Sequence, residues 1–203
     1  MPADSHDAQE GKGGAERAPT RRLPRAERRD QILAAATCAF ARAGFAATSL
    51  DDIAAEAGIS RVILYRHFES KTDLYRAVLD RVSARLTAVV GTRDYTIASL
   101  DALIGAAAAD PDGFRLLFRH AAREPEFRQE TDHLHATSVA VAQRELATEI
   151  PDSAWRTWAA HLVPAVTVEA VMAWLDAGQP GREEILDRVS QAIGGVIRAA
   201  GPR

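Results

Sequence analysis

The chain has 203 residues, of which 47% are hydrophobic and 26% charged, and its formal net charge is −3. This length suffices for one or two domains with a buried core, and no window of 18 apolar residues is free of charge, so a membrane span is not expected. The first twenty residues lack the apolar core of a signal peptide, and the single cysteine, Cys38, excludes an intrachain disulfide and a cysteine-based zinc site. A reducing, cytoplasmic compartment is the expectation.

Charge is unevenly distributed along the chain. Residues 1–20 carry a net charge of −2, residues 21–71 a net of +3, and residues 72–203 a net of −4. A basic segment joined to an acidic remainder is typical of a protein that binds a polyanion through one part only.

The N-terminal segment, residues 1–23, combines Gly, Pro, Ser and charged residues, with Leu23 as its only large apolar side chain. This composition predicts a disordered arm. Arginines at its end could follow the minor groove of DNA, as arms do in other DNA-binding folds, but plain disorder is the simpler interpretation. They are Arg17, Arg21, Arg22 and Arg25.

Helical periodicity begins after the arm and continues to the end of the chain, so we predict an all-α fold. The first helix is predicted over residues 24–43, ending at Gly44, because glycine permits a left-handed cap. Phe45 just beyond would pack back on Phe40.

Three helix starts then follow within 22 residues. Ser49 with Asp52 forms a capping box for a helix ending at Gly58, Ser60 caps a helix through Phe68, and Ser70 caps a helix reaching about Val90. Such short helices joined by a tight turn predict a helix–turn–helix at residues 49–68, within a DNA-binding domain spanning residues 24–71.

The remainder, residues 72–203, is predicted to form a helical regulatory and dimerisation domain. Proline and glycine breaks divide it into helices at about 96–109, 113–123, 125–149, 152–177 and 182–199. Pro164 lies inside the fourth of these and predicts a bend.

The second helix of the turn motif has an unusual outer side. Leu64 and Phe68 define its buried side, which leaves Val62 and Ile63 facing water. Arg61 and Lys71 each occupy the first position of a helix, where the helix dipole disfavours positive charge. A DNA duplex would satisfy both features, because phosphates attract the cations and base edges accept the apolar groups.

This stretch resembles the TetR family of bacterial transcriptional repressors. The resemblance runs from Arg29 to Leu79, above all in ILAAA, GF, TSLDDIAAEAGIS and LYRHFESK. It implies that phosphates are bound by Ser49, Tyr65, His67 and Lys71, that bases are read by Arg61, Val62 and Ile63, and that Thr48 assists at the DNA backbone. The family more often has small residues at the Val62-Ile63 positions, and the larger groups here favour contact with thymine methyls.

A single helix–turn–helix reads one half-site, so a homodimer on a palindromic operator is expected. The resemblance implies a four-helix bundle made by the last two helices of each copy. Candidate interface residues are Trp174, Ile185, Val189, Ile193, Gly194 and Val196. Gly194-Gly195 would permit close helix approach, although glycine could equally end the last helix early.

The family also implies a small-molecule effector bound within the C-terminal helices. Candidate ligand-binding residues are Phe114, Leu117, Phe118, Leu134, Trp158 and His161. Each aromatic residue among them could instead belong to the core. Arginines near residues 115–123 would suit an anionic or amphipathic effector, or could simply be solvated.

Two functional classes are alternatives to a ligand-responsive repressor. An enzyme is not expected, because the chain has no P-loop, GxSxG, HExxH or strand-linked GxGxxG motif, and neither a metal nor a cofactor is expected. The closer alternative to a ligand-responsive repressor is a DNA-binding regulator whose C-terminal part is only a dimerisation or protein-interaction scaffold. A large apolar cavity would distinguish the two.

Overall fold

The computed structural model describes residues 23–91 and 93–202. Within these residues the chain is helical and contains no strand, which confirms the all-α prediction. Apart from Leu23, the predicted disordered arm lies outside the described residues.

Nine α-helices are present in the described residues. They are α1 (Arg25–Ala47), α2 (Leu50–Glu56), α3 (Arg61–Tyr65), α4 (Lys71–Val90), α5 (Ile97–Ala109), α6 (Pro111–Arg115), α7 (Arg128–Glu145), α8 (Ser153–Asp176) and α9 (Ile185–Ala200). Between α6 and α7 lie a π-helical turn, Leu116–His120, and two 3₁₀ turns, Ala121–Arg123 and Pro125–Phe127.

Helix α1 contains one break, at Gly44, where φ is +76° and ψ is 172°. The sequence correctly placed the end of the continuous helix here, because an L-residue with a side chain is strained at such a φ. Phe45 packs back toward Phe40 with ring centroids 6.2 Å apart, as expected. The turn after Gly44 therefore returns the chain toward α1 and starts α2 against it.

All three serine caps are confirmed. Ser49 accepts from the Asp52 N–H and donates its own N–H to the Asp52 carboxylate, while Ser60 and Ser70 cap α3 and α4. Helix α3 ends earlier than predicted, because the His67 N–H turns to the Leu64 carbonyl three residues back.

One continuous apolar core joins the first four helices to the segment after α6. Tyr75 of α4 is fully buried, with its ring 4.8 Å from Phe40, 5.0 Å from Phe45 and 4.4 Å from Phe127 between centroids. Leu64 and Phe68 lie in the same core. The short helices α2 and α3 are therefore held by tertiary packing rather than by their own propensity.

The segment following α6 differs from its prediction as a single helix over 113–123. In the π-helical turn the Ala121 N–H bonds to the Leu116 carbonyl, which widens the helix and rotates the side chains that follow. Leu116 and Leu117 consequently enter the core around Tyr75, whereas Phe118 faces a cavity among the C-terminal helices.

Helices α8 and α9 pack along each other. Helix α8 continues through Pro164, and α9 continues through Gly194-Gly195, so the glycine pair does not end the last helix. The most apolar 18-residue window of α8 has a mean hydropathy of 1.4, which by length and composition alone would suffice to cross a membrane. A helix that buries one side in a bundle meets the same criterion, and α8 does so through residues such as Ala159, Val171 and Met172.

The Gly44 backbone leads to a stability prediction. We expect Gly44→Ala to lower the free energy of unfolding by about 1–3 kcal/mol, since alanine is strained at this positive φ. Urea denaturation measures the change. Gly105→Ala is the matched control, because Gly105 is helical and an added Cβ would meet only the Arg182 guanidinium at 3.6 Å. That control should be neutral or stabilising by up to about 1 kcal/mol, and equal losses in both variants would contradict the argument.

Candidate nucleic-acid interface and buried cavity

Helix α3 is anchored on one side and open on the other. Leu64 is fully buried, whereas Val62 is 63% and Tyr65 44% exposed. Gly58, at φ +62°, makes the turn before it, and the Ile59 N–H closes the end of α2 on the Ala54 carbonyl. The outer side of α3 thus exposes the apolar side chain of Val62 and the phenol of Tyr65 to a binding partner.

Arg61 is held in place on that outer side. Its guanidinium donates to the Asp51 carboxylate at 3.0 Å and to the Tyr65 hydroxyl at 3.2 Å, and lies 5.5 Å from the Tyr65 ring centroid. The hydrogen bond with Tyr65, followed by the charge of Asp51, raises the pKa of Arg61. Arg61 is therefore a permanently charged, pre-oriented donor, which is the geometry suited to reading a guanine edge.

The other candidate DNA contacts differ in accessibility. Ser49 is exposed, but its hydroxyl both caps α2 and donates to Asp52 at 2.6 Å, while Ile63 and His67 are half-buried. Burial, followed by the charges of Arg25 and Arg29, lowers the pKa of His67, so its ring is mainly neutral near pH 7.

Two arginines that the sequence analysis did not assign lie at the start of α1, close enough to His67 to influence it. Arg29 stacks over the Phe68 ring at 4.8 Å, and Arg28 donates to Gln31, which in turn donates to the Ala57 carbonyl at 2.8 Å. The excess positive charge of residues 21–71 was the only sequence signal for this cluster.

Thr48 is placed differently from its expected role at the DNA backbone. It is only 3% exposed, and its hydroxyl donates to the Gly44 carbonyl at 2.7 Å and to the Ala39 carbonyl at 3.2 Å. The side chain therefore closes the break in α1, because the carbonyls freed at Gly44 need donors.

Lys71 is also engaged inside the protein. Its ammonium donates to the carbonyls of Phe45 at 2.8 Å, Thr48 at 3.1 Å and Ala46 at 3.3 Å, and lies 4.5 Å from the Phe45 ring centroid. All three protons thus have acceptors, and a phosphate would have to displace one of them. Lys71 thus ties the start of α4 to the turn after α1, and its expected phosphate contact stays a prediction.

A cavity of about 530 Å³ lies among α4, α5, α7, α8 and α9. Its volume is in the range of small-molecule sites. Two of the predicted ligand-binding residues, Phe118 and Leu134, line it, and so do Ile193 and Gly194, which had been assigned to a dimer interface.

The other predicted ligand-binding residues do not line this cavity. Phe114 is buried in the cluster with α8 and α9, and Leu117 is buried in the core around Tyr75. Trp158 is 42% exposed on α8, and His161 lies in a shallow surface groove with its ring 6.0 Å from that of His135. In the described part of the chain no three His, Cys, Asp or Glu side chains cluster as metal ligands would.

The predicted dimer stripe faces the interior of its own chain. Ile185 and Val189 are buried against α5 and α8, and the buried Trp174 donates its indole N–H to the Pro180 carbonyl at 2.8 Å. Val196 is half-buried against Leu146 and its neighbours. The broad apolar stripe of α9 is thus used to hold the bundle and to line the cavity, which corrects the assignment of these residues to an interface.

The arginines near residue 115 have a structural partner. Arg115 and Arg119 contact the Asp176 carboxylate at 3.2 and 2.7 Å, and the hydrogen bond from Arg119 is the main cause that lowers the pKa of Asp176. Neither arginine lines the cavity, so they give no support to an anionic effector.

The chain is similar to known bacterial transcriptional regulators. Residues 32–78 match the family model described as bacterial regulatory proteins, tetR family. The HTH-type transcriptional activator FasR of Mycolicibacterium smegmatis is 33% identical over 181 residues, covering 78% of this chain and 77% of FasR.

Two further similarities differ in extent. An HTH-type transcriptional repressor of Mycobacterium tuberculosis is 48% identical over 56 residues, covering 28% of this chain and 30% of that protein. The crystal structure of a TetR-like transcriptional regulator from Rhodococcus sp. RHA1 superposes with a TM-score of 0.74 at 22% identity, covering 85% of this chain and 96% of that one.

The geometry of Arg61 leads to a binding prediction. Arg61→Ala should weaken binding to the preferred DNA sequence by about 1–3 kcal/mol while leaving binding to random DNA nearly unchanged, because a base contact is lost. Fluorescence anisotropy on both duplexes at fixed salt measures this. Arg144→Ala is the matched control, since Arg144 is 57% exposed and bridges to Asp94, as Arg61 is 56% exposed and bridges to Asp51. Equal effects from the two variants would refute the placement of α3 in a groove.

The contacts of Lys71 lead to a prediction about stability rather than about DNA affinity. Lys71→Met should lower the free energy of unfolding by about 1–2 kcal/mol, because three carbonyls lose a charged donor at a partly exposed site. Thermal unfolding and the salt dependence of DNA binding should be measured together. A stability loss with an unchanged salt slope supports the structural role, whereas unchanged stability with a slope reduced by about one indicates a phosphate contact instead.

Proposed function

Because the chain belongs to the TetR family of bacterial regulatory proteins, we propose that it is a homodimeric, ligand-responsive repressor that binds a palindromic operator. Residues 24–71 form the DNA-binding domain in this proposal, with the helix–turn–helix at 49–68, and residues 72–203 serve regulation and dimerisation. The protein would act in the cytoplasm, where its DNA is.

The exposed side of α3 is the observation that carries this proposal. Val62 and Tyr65 are exposed on a five-residue helix whose Leu64 is fully buried, and Arg61 is already oriented beside them. A helix–turn–helix inserts such a second helix into the major groove. Since five residues reach only a few base pairs, two copies on two half-sites are needed for specific binding.

The outer sides of α8 and α9 offer a surface for a second copy. On α8 the exposed residues include Trp158, Ala165 and Ala173, and on α9 they include Ala192 and Ala199. Small side chains allow helices of two copies to approach closely, and Trp158 adds apolar area at one end. On α9 these alanines lie beside the stripe of Ile185 and Val189 and are exposed within the chain.

The cavity supports a response to a small molecule over a C-terminal scaffold without an effector. Phe118 lines the cavity, while the preceding residues, Leu116 and Leu117, are packed in the core that holds α2 and α3. A ligand that displaces Phe118 would therefore disturb the support of the DNA-reading helices. It changes DNA binding only to the extent that it favours one of the two arrangements.

Activation is the second candidate for the direction of regulation. The relative FasR, similar along most of the chain, is named an activator, whereas the protein matching the DNA-binding part at 48% identity is named a repressor. A reporter placed behind the operator, with and without the protein, distinguishes repression from activation.

The dimer proposal is tested by changing its surface. Ala192→Glu should abolish the dimer at micromolar concentration, because it places an uncompensated charge in the proposed helix contact. Sedimentation measures the mass, and footprinting measures protection of the operator. The wild type should protect two half-sites on one face of the duplex, and the variant should lose that protection by at least about tenfold in affinity.

Ala88→Glu serves as the control for this experiment, since Ala88 is exposed on α4 away from the proposed surface. It should retain the wild-type mass and footprint. A wild-type protein that is monomeric at micromolar concentration, or a dimeric Ala192→Glu variant, would overturn this arrangement of the homodimer.

A further inference from the structure

The walls of the cavity are mainly aliphatic. Leucine, isoleucine and valine side chains from α4, α5, α7, α8 and α9 make most of its surface, for example Leu86, Leu103 and Val168. Among the described lining residues only Phe118 and Tyr95 are aromatic, and Phe118 is tilted against Phe114 with centroids 4.7 Å apart. A lining with so few rings provides little aromatic surface for stacking a planar ligand.

The polar groups inside the cavity are mostly hydroxyls. The Tyr95 hydroxyl bonds to Ser138 at 3.0 Å, and Thr167 donates to the Val163 carbonyl at 2.7 Å. The Ser190 hydroxyl is different, because it is buried, lines the cavity and has no hydrogen-bond partner among the described residues. A buried hydroxyl without a partner is unfavourable, so a ligand group that bonds to it would be stabilised.

The charged groups of the cavity are acidic. Glu145 and Glu149 line it at exposed positions, and no arginine, lysine or histidine is among the described residues that do so. Arg144, which is next to Glu145 in the sequence, is directed to Asp94 at 3.6 Å and to Glu145 at 3.4 Å. A carboxylate or phosphate taken inside would thus lose its hydration without gaining a cation, which is strongly unfavourable.

We infer that the effector is an aliphatic molecule whose buried part is uncharged and carries one hydrogen-bonding group of the alcohol, ketone or ester type, bonded to Ser190. This inference rests on the proposed function, in which the cavity is the sensing site.

Isothermal titration of the full chain with three probes at pH 7.5 tests the inference. The probes are 1-decanol, decanoate and 2-naphthol, which vary the charge at constant chain length and then replace the chain by a flat ring. The dissociation constant for 1-decanol should be at least about tenfold lower than for decanoate, because the ionised carboxylate finds no cation. It should also be lower than that for 2-naphthol.

Variants locate the bound probe. Ile193→Phe and Val168→Phe enlarge lining side chains of α9 and α8 and should each abolish 1-decanol binding, with circular dichroism verifying that they fold. Ser190→Ala should weaken 1-decanol by about three- to tenfold through loss of one hydrogen bond. The control Ala88→Phe introduces the same side chain at an exposed site on α4 and should bind as the wild type.

Each contrary result has a definite meaning. Equal or tighter binding of decanoate overturns the uncharged class, tighter binding of 2-naphthol overturns the aliphatic class, and failure of 1-decanol to bind overturns both. Binding that survives in both folded cavity variants shows that the probe lies elsewhere and overturns the inference too. Because titration involves no DNA, failure here is distinct from failure of the operator footprint, which tests the proposed function itself.

Discussion

The burial of Leu64 and Phe68 in the core around Tyr75 is the interaction on which the DNA-reading geometry depends. A five-residue helix is not stable on its own, since its few hydrogen bonds do not offset the free-energy cost of helix nucleation. Its orientation is therefore set by what lies beneath it. The rings of Phe40, Phe45 and Phe127 surround Tyr75 on several sides. The position of this aromatic cluster therefore determines where the outer side of α3 lies.

The same core connects the DNA-reading helix with the wall of the cavity. Phe127 directly precedes α7, which also contributes Leu134 and Ser138 to the cavity wall, and Phe45 directly follows the break in α1. Their rings are 4.9 Å apart between centroids. Close-packed interiors respond to displacement by shifting neighbours rather than by compressing, so a change in α7 reaches the turn that starts α2 through a single ring contact.

The sequence was sufficient for the serine caps and for the glycine turns, which depend on only a few consecutive residues. The caps at Ser49, Ser60 and Ser70 each pair with an N–H three residues later, and Gly44 and Gly58 are required by their own backbone angles. The exposed side of α3 was likewise predictable, because helical periodicity fixes the side opposite Leu64. These local rules are enough to define the all-α fold and the helix–turn–helix.

Interactions between distant residues were not accessible in this way. Lys71 is a surface cation by sequence, and only the break at Gly44, more than twenty residues earlier, supplies the carbonyls that bind it. The π-helical turn changes the side-chain register without any glycine or proline to indicate it, and Leu117 lies in the core around Tyr75 while Phe114 lies in the cluster with α8 and α9. For α9, amphipathicity shows that one side is buried but not what buries it. The apolar stripe with Ile185 and Val189 faces its own bundle, so any pairing of copies through α9 has to use the exposed residues beside it, such as Ala192 and Ala199.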